Sequence, residues 1–113
     1  MNRGAAAEAL AARFLATRGL AIVGRNYRCR GGEIDIIARD GRTIVFVEVR
    51  LRRSAEYGGA AESITARKRR RLRLAAEHYL ARLPSEPPCR FDAILLDALL
   101  SERIEWLRAV DID

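Results

Sequence analysis

Gly32-Glu33-Ile34-Asp35-Ile36-Ile37-Ala38-Arg39-Asp40-Gly41-Arg42-Thr43-Ile44-Val45-Phe46-Val47-Glu48-Val49-Arg50 is the stretch that decides the fold. It reads as two strands rich in β-branched residues around Asp40-Gly41, a dipeptide favoured in two-residue hairpin turns. With the turn on Asp40-Gly41, Arg39 faces Arg42 and Asp35 faces Phe46. A shift of one pair, to a turn on Gly41-Arg42, sets Asp35 opposite Glu48. Side chains alternate with period 2, so in either register Asp35, Glu48 and Arg50 share a face. Two carboxylates that close, partly removed from water, repel unless a cation bridges them. A divalent metal held by oxygen ligands is the natural bridge.

Outward from the hairpin, about residues 4–18 form an Ala- and Leu-rich helix with Leu10, Phe14 and Leu15 at helical spacing and Gly19 as its stop. A strand runs irregularly over about residues 20–29, and Gly31-Gly32 turns into the hairpin. Residues 52–63 read as a polar, mobile loop around Tyr57-Gly58-Gly59. A second helix is expected over about residues 65–82, capped by Ser63 or Thr65, with Leu72, Ala75, Ala76, Tyr79 and Leu83 as its apolar stripe. Pro84, Pro87 and Pro88 end it, and Phe91-Asp92-Ala93-Ile94-Leu95-Leu96 is a further strand. Arg103-Ile104-Glu105-Trp106-Leu107 alternates as a strand does, although residues 98–107 also fit a short helix; the strand is favoured.

The chain of 113 residues is long enough for a single domain, 1–113, that buries about two-thirds of its unfolded surface. No apolar run approaches the roughly 20 residues of a membrane span, and no signal-peptide pattern opens the chain. Cys29 and Cys89 lack metal-ligand spacing or a disulfide framework, which favours a reduced, cytoplasmic protein. The net charge of +6 and pI near 10.3 favour a polyanionic partner over a membrane surface, since the basic helix has no aromatic anchors. The cations cluster: Arg67-Lys68-Arg69-Arg70-Arg71 and Arg73 on one helix, Arg50, Arg52 and Arg53 after the acidic strand. A cationic rim around an anionic centre suits DNA, with Arg52, Arg53, Lys68, Arg69, Arg70 and Arg73 gripping phosphates.

The D…(D/E)-x-K spacing of the hairpin resembles that of restriction-endonuclease-like nucleases. GEIDIIARDGRTIVFVEVRLR is similar to the core of the YraN-like family, small bacterial relatives of archaeal Holliday-junction resolvases. Glu8, Asn26-Tyr27-Arg28, Lys68, Leu72 and Arg90-Phe91-Asp92 follow the same order, so the likeness covers nearly the whole chain. It implies an α/β fold, a mixed central β-sheet flanked by helices in the order αβββαββ. It also implies a metal-dependent endonuclease acting on DNA, with Mg²⁺ or Mn²⁺ held by Asp35, Glu48, the Val49 carbonyl and Glu8. Resolvases of this kind act as dimers, so a homodimer is expected.

Where the family carries its third core residue, a lysine, this chain has Arg50. Arginine can stabilise charge on a phosphorane-like transition state, but its pKa is too high for a base. Lys68 is the only lysine among 21 Lys plus Arg, so the arginine partly reflects a chain-wide preference. Lys68 itself contacts phosphate or, as a lesser alternative, stands in for the missing lysine. Glu33 is either a partner of the ligands or a ligand of a second metal. His78 is expected to be structural or exposed, Tyr79 and Trp106 to be core or edge residues, and Asp92 to form a structural salt bridge. The alternatives to a nuclease are a nucleic-acid-binding module of the same fold that has lost cleavage through Arg50, and a protein-interaction domain.

Overall fold

The structure is a computed structural model that describes residues 3–51, 65–97 and 104–112. The elements are α1 (Arg3–Thr17), β1 (Ala21–Cys29), β2 (Gly32–Asp40), β3 (Thr43–Leu51), α2 (Ala66–Leu80), β4 (Cys89–Leu96) and β5 (Ile104–Leu107). The order αβββαββ is the expected one. The loop around Tyr57, the cap candidate Ser63, and Arg52 and Arg53 lie outside the described residues.

The five strands form one sheet in chain order, antiparallel except where β3 pairs with β4. A parallel pair needs a long crossover, and α2 lies within it. The two helices cover opposite faces. Ala7, Ala11 and Leu15, one α1 stripe at i, i+4, i+8 spacing, bury against Ile36, Ala38, Val45 and Val47. Leu72, Ala75 and Ala76 of α2 bury against Ile34, Ile37 and Phe46. The mixed sheet, with a helix on each face, is a restriction-endonuclease-like core.

The ends of the helices follow from local chemistry. Gly19 takes φ +93°, and the Leu20 N–H returns to the Leu15 carbonyl at 3.1 Å, closing α1. Thr65 caps α2 by accepting from the Lys68 N–H at 3.2 Å. That helix ends at Leu80, short of the expected 82. Arg82 and Leu83 instead bond back to the carbonyls of Tyr79 and Leu80, a tighter turn that leads into Pro84.

Of the two hairpin registers, the turn on Asp40-Gly41 is not the one formed. The pairs run from Asp40–Thr43 to Ile36–Val47, so the turn residues are Gly41 and Arg42. Gly41 takes φ +61° at the first central position, as a type II′ turn requires. This register sets Arg39 against Ile44 instead of against Arg42, which avoids a facing pair of like charges.

Strict alternation fails at Asp35. Ile34 packs toward α2, whereas Ile36 packs toward α1. Asn26 of β1, between the pairs Arg25–Ile36 and Tyr27–Ile34, has φ 54°, a left-handed conformation that asparagine tolerates better than most residues. The sheet is therefore kinked at the strand position that carries the first acid.

At the far end, Ile104–Leu107 pairs with β4 as a strand. Asp92, 2% exposed, accepts from Arg90, from the Trp106 indole at 3.0 Å and from the Ala109 N–H at 3.0 Å. Arg90 also reaches Asp40 at 3.1 Å, which ties β4 to the hairpin turn. The salt-bridge expectation for Asp92 is met, and Trp106 packs edge-on against Phe14. His78 is exposed and bonded to the Tyr27 hydroxyl, and Cys29 and Cys89 are free thiols. No helix among the described residues is long and apolar enough to cross a membrane.

Candidate active site

The β2–β3 ladder stops at Ile36–Val47. The next two residues, Asp35 and Glu48, occupy the place where another pair would form. The Val49 N–H donates to Asp35 Oδ2 at 2.8 Å, so a carboxylate satisfies this backbone donor. The strands part here, and a cavity of about 390 Å³ opens between them. Because the notch is reached from both faces of the sheet, helices on opposite faces meet in it. From α1 comes Glu8; from α2 come Arg67, Lys68 and Arg71; from the strands come Glu33, Asp35, Glu48 and Val49.

Within the cavity the acids form a chain. Asp35 is within hydrogen-bonding reach of both Glu48 and Glu8, and the Asn26 side chain donates to Glu8. Burial, then the hydrogen bond and charge of Glu48, push the Asp35 carboxyl up to about 7, against the opposing pull of the Val49 N–H. Burial, followed by the charge of Asp35, raises Glu8 as well. Glu48, 8% exposed, pairs with Lys68 Nζ at 3.3 Å. Glu33 is held by Arg71 at 3.4 Å and by Arg28 at 3.6 Å, so it is tied up by guanidinium groups at the rim.

The donors are all hard oxygens, and their crowding is relieved by shared protons and one ammonium. Among the described residues no group of three or more His, Cys, Asp or Glu side chains is placed to hold a metal ion. Magnesium commonly keeps several waters and takes only one or two carboxylates plus substrate phosphate, so an open site with Asp35 and Glu48 suits it. Val49 lies beside them in the lining.

The cavity thus brings together Glu8, Asp35, Glu48, Val49 and Lys68. Arg50 is not among its described lining; its Nε is buried without a hydrogen-bond partner among the described residues. Arg69, Arg70 and Arg73 are also outside the lining, whereas Arg67 and Arg71, one helical turn apart, are part of it. Residue 71 lies about one turn before the buried Ala75, and residue 67 about one turn before that, a phase that charge clustering alone does not convey. Asn26 is the further residue at the site; its only local signal is that asparagine accepts a left-handed backbone.

A model of the uncharacterised protein family UPF0102 matches residues 7–96. The chain is similar to a UPF0102 protein of Methylobacillus flagellatus, 58% identical over 102 residues, 90% of this chain and 89% of that one. It is 53% identical over 112 residues to one of Nitrosospira multiformis, covering 98% and 94% of the two chains. With one of Dechloromonas aromatica it shares 55% over 106 residues, 94% and 85% of the two. The matched segment spans all of the cavity's acids and Lys68, and on these matches the chain belongs to the YraN-like UPF0102 family.

Proposed function

We propose that the protein is a divalent-metal-dependent endonuclease acting on DNA, with branched or structured DNA as its substrate. The observation that carries this is the convergence of Glu8, Asp35 and Glu48 on one notch, where burial and mutual repulsion raise the pKa of Asp35 to about 7. Such a cluster is stabilised by a cation that replaces its protons. Asp35, Glu48 and the Val49 carbonyl would hold Mg²⁺ or Mn²⁺, with Glu8 completing the set through water. Bound there, the metal would lower the pKa of a water and polarise the scissile phosphate.

This chain's own residues would do the rest. Asp35 orients the end of β3 through the Val49 N–H, and Asn26 holds Glu8 toward the acids. Arg67 and Arg71 at the rim neutralise neighbouring phosphates, and the remaining arginines of α2 extend that surface. Cutting both strands of a branch would take two such sites, as in a homodimer. The test is a panel of linear, nicked and four-way-junction DNA with Mg²⁺, Mn²⁺ or EDTA, with Asp35→Asn as the control against contaminating nuclease. Metal-dependent cleavage that disappears in the variant supports the proposal; cleavage of no form by the wild type overturns it.

A second reading, a DNA-binding module without cleavage, draws on Arg50. Arg50 is half-buried and outside the cavity's described lining, and an arginine cannot serve as the base that a lysine could. DNA binding by a protein that cleaves nothing would favour it.

A further inference from the structure

We propose that Lys68, carried on α2 rather than on the acidic strand, is the cation that grips a non-bridging oxygen of the phosphodiester lying against Asp35 and Glu48. This rests on the endonuclease reading and assigns the role left open by Arg50. The chain's only lysine is 3.3 Å from Glu48 and lines the same cavity as Asp35 and Glu8, while Arg50 is absent from that lining.

The fold builds this placement. A Cβ on Gly32 would lie 2.6 Å from the Arg71 carbonyl oxygen and 2.8 Å from the Ala75 nitrogen, so α2 sits directly on the start of β2 only because residue 32 has no side chain. Thr65 caps the helix through the N–H of Lys68 itself, fixing the turn from which the ammonium reaches into the notch. The Lys68 side chain is about one-third exposed, so it is open to an incoming phosphate.

In hydrolysis the water oxygen bonds to phosphorus and the phosphorus–sugar oxygen bond breaks. The proton lost by the water is matched by one gained by the leaving sugar oxygen. Lys68 remains an ammonium throughout and offsets negative charge that grows on the non-bridging oxygens. A compact ammonium serves there as a point charge, where a guanidinium would present a planar fork.

Because there is only one lysine, ¹³C,¹⁵N-lysine labelling gives a single side-chain signal to follow. Thymidylyl-thymidine, a simple phosphodiester, is titrated into the full chain with Mg²⁺ present. The Lys68 signal should shift saturably, and Asp35→Asn should abolish the shift. A signal that stays in place overturns the proposal. Cleavage of four-way-junction DNA provides the second readout: Lys68→Ala should lower kcat by about 10²-fold with KM changed far less. A variant that folds and keeps kcat, or loses only KM, also overturns it. If the wild type cleaves no DNA but the lysine signal still moves with the dinucleotide, the endonuclease reading fails and the phosphate grip of Lys68 stands.

Discussion

Asp35→Asn removes a carboxylate that the fold holds against its tendency to ionise, so metal-free protein should become more stable at neutral and alkaline pH. The unfolded chain releases this proton near 3.8, and the native state keeps it until about 7. Between those values the native state binds more protons than the unfolded one, so stability falls as pH rises through that window. The stabilisation is complete below 3.8 and gone above about 7. At about 1.4 kcal/mol per tenfold change in proton affinity, the full window amounts to about 4 kcal/mol, and the part between about pH 5 and about pH 8 to about 2–3 kcal/mol. Asparagine has the same shape, can accept from the Val49 N–H and can donate to Glu48, so the variant keeps the geometry without the charge. Urea unfolding in EDTA at about pH 5 and about pH 8 measures both proteins, and titrating groups remote from the notch cancel in the comparison. The wild type should lose about 2 kcal/mol more than the variant over that interval. Equal losses in the two proteins would refute the account of a desolvated carboxyl pair in the notch.

Four other outcomes follow from the same contacts. Millimolar Mg²⁺ or Mn²⁺ should raise the Tm of the wild type and leave Asp35→Asn and Glu48→Gln unmoved, because only the native state offers the paired oxygens; differential scanning fluorimetry checks it. Gly32→Ala should cost about 1–3 kcal/mol in urea unfolding, since the new methyl meets the α2 backbone at 2.6 Å. Asp92→Asn should cost about 3 kcal/mol and alter the Trp106 fluorescence, because it leaves Arg90 beside a neutral, buried partner; unfolding monitored at the tryptophan tests both. DNA affinity should fall steeply with salt, and replacing Arg67 and Arg71 together should reduce the slope of log K against log salt by about 2; replacing Arg69, Arg70 and Arg73 instead should act on the same slope from outside the cavity.

The meeting of the hairpin acids was legible because period-2 alternation puts Asp35 and Glu48 on one side in either register, whereas their use as ligands was carried by resemblance. That same parity hid the choice of register. Both turns satisfy the apolar pattern, and the decision came from Gly41 at the first central position together with the avoided Arg39–Arg42 pair. The kink was not legible: asparagine is common in ordinary strand ends and turns, so Asn26 gave no warning that alternation would break opposite Asp35. The helix order and the membership of Glu8 were carried by resemblance, since an acid in an Ala-rich helix is by composition only a solvated residue.

The basic helix shows where composition stops and phase begins. Six cations within residues 67–73 establish charge but not direction. Direction is set by burial: with Leu72, Ala75 and Ala76 fixed against the sheet, positions 67, 68 and 71 fall at the notch and position 70 turns to solvent. Lys68 is four residues before Leu72, so its approach to the acids follows from the apolar stripe once the crossover has placed α2 beside β2. Sequence spacing along β3 cannot show this, because the partner of Glu48 comes from another element. A cation missing from a strand pattern can therefore be supplied by a neighbouring helix, as Lys68 is to Glu48.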